Sequence, residues 1–299
     1  YQDLTDLQTQ EKDTSDFTKL FASSLEFLSQ KNYASATSTL TLLDGNIQKE
    51  ESSLAVSAVP AHVTQSNSAP SSGFSRQSVS TPNGTFVVDI IAADLNSTRV
   101  IVDTASDGDC SDNCPVLPLA DYVARNGAFA GINGSFFCPA DYPSCAGKVN
   151  SFDTLLMNKN KHYINSANNV YSTVPAVIFK DNWARFVTQS LQWGRDTGVD
   201  SVIAMQPLLV FGGNIAYSDS SDPKFLSKGP RSFIANKGST VYIGFTLNAT
   251  MGESAQVMKT LGMDNALNLD EGGSSALWSG GYVIGPGRNL PNAVLFVHK

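Results

Sequence analysis

The sequence has few histidines, no long apolar run and no excess of basic residues, and each scarcity excludes a class of function. Its three histidines, His62, His162 and His298, lie away from the Ser274-Ser275 pair, so a Ser-His-Asp hydrolase has no evident base. No apolar run approaches the roughly 18 residues that span a bilayer, so no transmembrane segment is expected. The formal charge is −7 and the basic residues are scattered singly, so we expect no nucleic acid partner.

Cysteine is scarce as well, because the chain has only four. They fall in two close pairs, Cys110 with Cys114 and Cys138 with Cys145, and neither pair has the spacing or the neighbouring histidines of a zinc site. We expect local disulfides made in an oxidising compartment, which favours a secreted or extracytoplasmic surface protein. Other pairings, and reduced buried thiols, are the alternatives. Because the chain begins at Tyr1, we expect any signal segment or anchor to lie upstream.

Composition divides the chain into segments of different kinds. Apolar residues at helical spacing predict an α-helical hairpin over residues 1–60, which could cap the protein or dock a protein partner. Residues 61–73 are rich in Ser, Pro, Asn and Gly and predict a flexible linker. From 74 to 299, short apolar runs separated by turn signals predict an α+β domain with a mostly antiparallel sheet and few helices.

The expected elements of this last domain are short. Helices are predicted over residues 117–125 and 252–261, and hairpin turns at 180–182 and 236–238. The predicted strands are 86–93, 99–105, 176–179, 184–187, 201–211, 232–235, 240–246, 266–269 and 293–297.

Side chains that suit binding or catalysis occur in four short segments. In chain order they are Gly131-Ile132-Asn133-Gly134-Ser135-Phe136-Phe137 at a strand end, Pro230-Arg231-Ser232 at a strand start, the Asp270 turn within Ala266-Leu267-Asn268-Leu269-Asp270-Glu271-Gly272-Gly273-Ser274-Ser275, and Gly287-Arg288-Asn289-Leu290-Pro291-Asn292-Ala293 at the start of the last strand. An arginine fork can bind a carboxylate or a phosphate through parallel hydrogen bonds. A carboxylate pair followed by glycines brings acid groups and bare backbone N–H donors to one place. Together these segments indicate a site for a sugar or a phosphate.

The order and the amino-acid motifs of these segments resemble the phosphodiester glycosidase domain family. This family is known from the enzyme that uncovers mannose 6-phosphate by removing N-acetylglucosamine from a phosphodiester. The resemblance spans most of residues 86–299. Residues 133–137 match an Asn-Gly-Gly-Phe-Phe type motif, 230–231 a Pro-Arg strand, 266–275 a Leu-Asp-Gly-Gly-Gly-Ser turn, and 291–293 a closing Pro-Asn-Ala strand. The resemblance implies a hydrolase that cleaves a sugar from a sugar-1-phosphodiester in a glycan or cell-surface polysaccharide.

Glu271 departs from the family pattern, because it stands where the family has its first glycine. If this position needs φ > 0, a glutamate is strained there. Otherwise the side chain brings an extra acid to the pocket and changes the substrate preference.

The predicted chemistry needs only one carboxylate. A sugar-1-phosphodiester loses a phosphate monoester, which is already a stable anion, so protonating it matters less than in an ordinary glycoside. We expect Asp270 to act as nucleophile or base, Arg231 and Arg288 to hold the phosphate, and Glu271 to complete the catalytic group. The predicted substrate contacts are the N–H groups of Gly272 and Gly273 on phosphate oxygens and the amides of Asn133, Asn268 and Asn292 on sugar hydroxyls, with Gly134, Ser135 and Ser274 beside them.

Other interpretations stay open at this stage. The motif residues also suit a tight turn with buried asparagines bonded to loop carbonyls. A non-catalytic carbohydrate-binding module on the same fold would keep the cleft without turnover. A third class is an interaction protein whose helical hairpin docks a partner.

No cofactor or metal is predicted. Asp103, Asp107 and Asp109 supply oxygen ligands that suit Ca²⁺, but the cluster lacks the closing glutamate of an EF-hand loop. A solvated acidic loop is therefore favoured over a structural Ca²⁺. The expected partners are a carbohydrate or sugar-phosphate substrate and a protein for the hairpin.

Overall fold

The structure is a computed structural model whose described residues are 1, 4–5, 7–8, 13–57, 63–168, 172–218 and 222–299. Its helices are α1 (Ser15–Ser29), α2 (Tyr33–Ser57), α3 (Leu119–Asn126), α4 (Pro223–Leu226) and α5 (Met251–Thr260), with short 3-10 turns at Pro143–Cys145, Ser190–Trp193 and Gly272–Ser274. Its strands are β1 (Thr64–Gln65), β2 (Gly73–Thr81), β3 (Gly84–Asp94), β4 (Thr98–Thr104), β5 (Ala130–Asn133), β6 (Leu156–Met157), β7 (Tyr163–Ile164), β8 (Ala176–Lys180), β9 (Trp183–Val187), β10 (Ser201–Ala204), β11 (Leu208–Phe211), β12 (Asn214–Ile215), β13 (Gly229–Lys237), β14 (Thr240–Ala249), β15 (Asn265–Asn268), β16 (Leu277–Ser279), β17 (Tyr282–Ile284) and β18 (Asn292–His298).

Helices α1 and α2 form the predicted N-terminal hairpin. The chain reverses at Lys31, whose φ of 58° is the left-handed conformation common at helix ends. The Asn32 side chain then accepts a hydrogen bond from the Ser35 N–H at 3.2 Å, which caps the start of α2. Leu43 and Ile47 are buried against apolar residues of α1 and of the N-terminal residues before it. The helical spacing therefore predicted both helices correctly.

The flexible-linker prediction for residues 61–73 does not hold from Thr64 onward. Strand β1 pairs with β2 in parallel, and the Gln77 side-chain amide donates to the carbonyls of Ser66 and Ser68 at 2.9 and 3.0 Å. Polar side chains and backbone groups at the sheet edge hold this segment, so a prediction based on scarce apolar burial missed it. Residues 58–62 lie outside the described part of the chain.

The rest of the chain forms three sheets, which confirms the α+β prediction. The largest has the order β1-β2-β3-β14-β13-β15-β11-β12, and the others are β7-β6-β10-β8-β9 and β17-β16-β5-β18-β4. Among the described strands, every pair other than β1 with β2 is antiparallel. No helix in the described ranges is both long and apolar enough to cross a membrane.

The eight-stranded sheet is buried on both faces. Ile91 and Ile243 belong to the core that this sheet shares with the two smaller sheets. Their neighbours Ile90 and Tyr242 belong to a second core, which packs against α5. Successive strand residues point to opposite faces, so these long strands read as continuous apolar runs and not as alternating ones.

The largest difference from the predicted strands is at residues 201–211. This run was expected as one strand, but it is divided into β10 and β11, which belong to different sheets. Pro207 lies between them and has no N–H for a ladder hydrogen bond. Strand β2 was missed because its residues are mostly polar.

Both predicted disulfides are present. Cys110 is bonded to Cys114 and Cys138 to Cys145. The second disulfide closes the loop that follows β5, so it restrains a segment next to the cleft described below.

Candidate active site

A cleft of about 790 Å³ brings all four predicted segments together. Its lining includes Asp270 and Glu271 after β15, Arg231 on β13, and Arg288 before β18. The first segment contributes its aromatic end, Phe136 and Phe137, which the list of predicted contacts left out. The four predicted catalytic side chains therefore share one cleft, although they come from distant parts of the chain.

Hydrogen bonds to the backbone groups of Asp270 hold this residue in place. Its carbonyl oxygen accepts hydrogen bonds from the Asn133 side-chain amide and from the Ser232 hydroxyl, each at 2.5 Å, and its N–H donates to the Gly134 carbonyl at 2.9 Å. One carboxylate oxygen accepts from the Glu271 N–H at 2.9 Å. Asp270 is 8 % exposed, so the carboxylate is fixed at the cleft wall with little access to bulk water.

The residues that follow Asp270 turn sharply. Glu271 has φ −147° and ψ −171°, which is extended backbone, so the strain considered for a glutamate here does not occur. The left-handed conformation falls on Gly272, whose φ is 67°. At Gly273 the reason for glycine is contact, because a Cβ there would lie 2.4 Å from Nη1 of Arg288.

Arg231 does not have the free fork that a phosphate clamp needs. It is 4 % exposed, its Nε donates to the Ala249 carbonyl at 2.9 Å, and its Nη2 donates to the carbonyls of Lys224 and Ser227. Its Nη1 donates to Oε1 of Glu271. The predicted phosphate-holding role therefore needs correction, since these bonds fix Arg231 as the counter-ion of Glu271 and the anchor of the α4 segment.

Arg288 lies against the glycine turn. Its N–H donates to the Gly273 carbonyl at 2.8 Å, and its Nε donates to the Asp141 carboxylate at 3.0 Å. Its guanidinium carbon is 4.9 Å from the centre of the Tyr142 ring. The cation is thus stacked between an aromatic ring and bare glycine backbone, a position that suits recognition of an anionic group.

The predicted sugar-binding amides lie behind the cleft and do not line it. Asn133, Asn268 and Asn292 are each at most 1 % exposed. Asn292 bonds to the Ser135 N–H and hydroxyl, both at 2.9 Å, and a Cβ on Gly134 would lie 1.8 Å from Asn292 Oδ1. The structure therefore corrects their role, because these asparagines support the Asp270 turn. This arrangement agrees with the alternative interpretation, a tight turn with buried asparagines.

Asn268 shows the same behaviour. Its amide nitrogen donates to the carbonyls of Leu269 at 2.7 Å and Gln206 at 3.2 Å. Gln206 is at the cleft, so Asn268 supports the wall from behind. Of the predicted contact residues, Gly272, Gly273 and Ser274 do line the cleft.

Sequence reasoning missed a second arginine–carboxylate pair in the cleft. Arg76 on β2 binds Asp89 on β3 through two bonds, Nε to Oδ1 at 2.5 Å and Nη2 to Oδ2 at 2.6 Å. Asp89 is fully buried. Asp89 lies inside the apolar run of β3, and a carboxylate in such a position indicates a buried partner of opposite charge. The partner could not be identified from the sequence, because the mostly polar β2 was not predicted as a strand.

Burial separates Glu271 from an ordinary surface glutamate. It raises the pKa of Glu271 to about 7, and the Arg231 guanidinium opposes this change without cancelling it. Oε2 of Glu271 is buried and has no hydrogen-bond partner within the described residues. The site therefore holds a carboxylic acid that is partly protonated near neutral pH.

The acidic cluster considered for Ca²⁺ is used differently. Asp103 is 2 % exposed, and its Oδ2 accepts hydrogen bonds from Arg125, Asn126 and Lys159. Burial alone would raise the pKa of Asp103, but these bonds together lower it. Cationic side chains already neutralise Asp103, so its carboxylate is a poor ligand for Ca²⁺. That the protein needs no metal stays a prediction.

The chain is similar to known proteins in sequence and in fold. A phosphodiester glycosidase family model matches residues 126–297. The catalytic domain of zebrafish N-acetylglucosamine-1-phosphodiester alpha-N-acetylglucosaminidase, auto-inhibited by its pro-peptide, is 11% identical with a TM-score of 0.55, and the alignment covers 79% of this chain and 86% of that one. A hypothetical protein from Synechocystis is 14% identical with a TM-score of 0.58, over 76% of this chain and 62% of that one.

These structural likenesses show the fold alone. The chain spans 62% of the length of the Synechocystis protein. No curated protein matches the sequence. Because the family model matches more than half of the 299 residues, the chain belongs to the phosphodiester glycosidase family.

Proposed function

We propose that this protein is a hydrolase that cleaves a sugar from a sugar-1-phosphodiester, with Asp270 as nucleophile or base and Arg288 as the main cation on the phosphate. The observation that carries the proposal is the common cleft. Asp270 and Arg288 line the same cavity, and the Arg288 guanidinium lies against Gly273, three residues after Asp270. A carboxylate for C1 and a cation for the departing phosphate are thereby available to one substrate.

The charges of the cleft suit an anionic substrate. The whole chain carries a formal charge of −7. Among the described residues that line the cleft, however, cations outnumber carboxylates: Arg76, Lys224, Lys228, Arg231 and Arg288 against Asp89, Asp222, Asp270 and Glu271. A local reversal of sign of this kind attracts a phosphate into a cleft and raises its local concentration.

The remaining lining suits the sugar. Phe136, Phe137 and Tyr142 bring aromatic surface to the cleft. Aromatic rings pack against the apolar faces of sugar rings, while the polar groups of the glycine turn are left for the phosphate. We place the substrate in a glycan, a polysaccharide or a teichoic-acid-like polymer.

The two disulfides favour an extracytoplasmic location for this activity. Thiols in the cytosol are kept reduced, so a chain with all four cysteines bonded is expected to fold in an oxidising compartment. A polymer at the cell surface is the substrate such a location offers.

Turnover of a sugar-1-phosphodiester by the purified protein tests the proposal. We expect hydrolysis by the parent and a loss of at least about 100-fold in Asp270→Asn, because the amide can act neither as nucleophile nor as base. Asp16→Asn, at an exposed position on α1, is the matched control and should leave the rate unchanged. A parent that binds the phosphodiester without turnover would favour the non-catalytic binding module instead.

A further inference from the structure

Glu271 is a second acid in the cleft, and its two oxygens have different surroundings. Oε1 accepts a hydrogen bond from Nη1 of Arg231. Oε2 is buried and has no hydrogen-bond partner in the part of the chain that the structure describes. Arg231 is held in place by the carbonyls of Ala249, Lys224 and Ser227, so its guanidinium stays with Oε1.

We infer that Glu271 is a general acid of this site, and that its substrates therefore include glycosides whose leaving group is a neutral alcohol as well as phosphodiesters. The inference rests on the proposed function, because it assigns the sugar to the same cleft and attack at C1 to Asp270. A phosphate monoester leaves as a stable anion without a proton, whereas an alkoxide needs one. The acid at Glu271 supplies this proton, which cleavage of a phosphodiester does not require.

The surroundings of Glu271 provide that proton near neutral pH. Burial raises the pKa of this carboxyl to about 7, against the lowering effect of the neighbouring cations. The charged residues that line the cleft with Glu271 are Arg76, Asp89, Asp222, Lys224, Lys228, Arg231, Asp270 and Arg288. Of these, Arg231 and Lys224 lower the pKa of Glu271 and Asp222 raises it. A glycosidase usually has an acid that protonates the leaving group and a second carboxyl group near it.

The inferred step balances as a hydrolysis. The bond from C1 to the leaving oxygen breaks, its electron pair stays on that oxygen, and the carboxyl group of Glu271, which lines the cleft, transfers its proton to that oxygen. In one route Asp270 acts as a base on a water molecule that attacks C1. In the other, Asp270 bonds to C1 and a water molecule then displaces it. The water's hydroxyl ends on C1 and its other proton restores the acid, so the products are a free sugar and an alcohol.

The test compares leaving groups on one sugar. N-acetylglucosamine is the probe, because the zebrafish structural neighbour is named for it. The full chain is assayed on the α-linked 1-(methyl phosphate), the 4-nitrophenyl α-glycoside and the methyl α-glycoside. Glu271→Gln keeps an acceptor for Arg231 but has no acidic proton, and Glu26→Gln on the exposed surface of α1 is the matched control. Thermal unfolding of each variant shows that the fold is kept.

We expect Glu271→Gln to lower kcat/KM on the methyl glycoside by about 100-fold or more, and on the phosphodiester and nitrophenyl glycoside by less than about tenfold. Activity of the parent on the methyl glycoside should fall above about pH 7, where the acid is lost, and this limb should be absent in the variant. Glu26→Gln should match the parent on all substrates.

The outcomes separate the two proposals. If the parent cleaves the phosphodiester but not the methyl glycoside, or if Glu271→Gln loses activity equally on all substrates, the acid role is overturned and the proposed function stands. If the parent cleaves glycosides but not the phosphodiester, the proposed function fails, and the acid role is supported by the leaving-group pattern. A parent that cleaves none of the substrates overturns both.

Discussion

The two sides of the Asp270 turn contain similar polar and charged residues, but these residues contact different partners on each side. On the buried side, Asn133 and Asn292 bond to backbone groups and to Ser135. On the cleft side, Glu271 and Arg288 line an open cavity. Every one of these residues was predicted to be catalytic or to bind substrate, so residue type alone did not separate those that build the turn from those that line the cavity.

The two arginines show the same contrast. Arg231 is 4 % exposed and donates to several backbone carbonyls, which makes it part of the framework. The Arg288 side chain is 8% exposed, close to the 5% of the Arg231 side chain, but its partners differ: it pairs with Asp141, whose side chain is 49% exposed, and it stacks on Tyr142. We therefore expect substitutions on the buried side to lower stability, and substitutions on the cleft side to lower turnover while the fold persists.

The largest effect on stability is expected from Arg231→Met. Removal of the guanidinium leaves Glu271 and backbone carbonyls without their buried donor, which should lower the free energy of unfolding by about 3–5 kcal/mol. Urea denaturation of the parent and the variant measures this change. The double variant Arg231→Met with Glu271→Gln should recover part of the loss, because it leaves no unpaired buried charge. A single variant as stable as the parent would place Arg231 outside the framework.

A smaller loss is expected from Gly134→Ala. The added Cβ would lie 1.8 Å from Asn292 Oδ1, so the buried amide must move, at a cost of about 1–3 kcal/mol. Gly45→Ala is the matched control, because Gly45 lies inside α2 with open space around it and should stabilise the protein by up to about 1 kcal/mol. Both changes are read from denaturation midpoints. Equal effects of the two substitutions would contradict the tight contact.

Arg288→Lys should change turnover more than stability. The lysine keeps the charge but loses the planar fork and the stacking on Tyr142, so kcat/KM on a sugar-1-phosphodiester should fall by about 10- to 100-fold. The ion pair with Asp141 is partly exposed, and the free energy of unfolding should change by less than about 1 kcal/mol. Paired kinetics and urea denaturation test both statements. A stability loss as large as that of Arg231→Met would remove the distinction between the two arginines.

The stability of the protein should also depend on pH. Because burial raises the pKa of Glu271 from 4.5 to about 7, the folded state binds its proton more tightly than the unfolded state does. The stabilisation from this group is therefore complete below about pH 4.5 and is lost as pH rises through about 7. Unfolding free energies of the parent and Glu271→Gln at pH 5 and 8 should show a steeper fall in the parent. Parallel pH profiles would contradict the buried acid.

The elements that sequence reasoning predicted well depend on local pattern. Helical spacing in α1 and α2 and apolar runs in β3, β14 and β18 indicated those elements because each repeats the period of its own structure. The sequence did not predict strand β2 or strand β1 (Thr64–Gln65), because hydrogen bonds to a neighbouring strand hold these residues in place. The local sequence pattern does not show such partners. Division of the hairpin and the β-rich part into separate domains stays a prediction, as does a protein partner for the hairpin.

By itself, the sequence determined the family, the sheet-rich fold, the disulfide pairs and the four segments that meet at the cleft, because these are written in residue order, spacing and composition. Only the tertiary structure decided which motif residues face the cavity and which lie behind it, that Arg231 is fixed by carbonyls of α4 and β14, and that Arg76 joins Asp89 beside them. The physical reason is that exposure, hydrogen-bond partners and the pKa of Glu271 depend on neighbours from other strands. No local pattern contains those neighbours until the sheets are assembled.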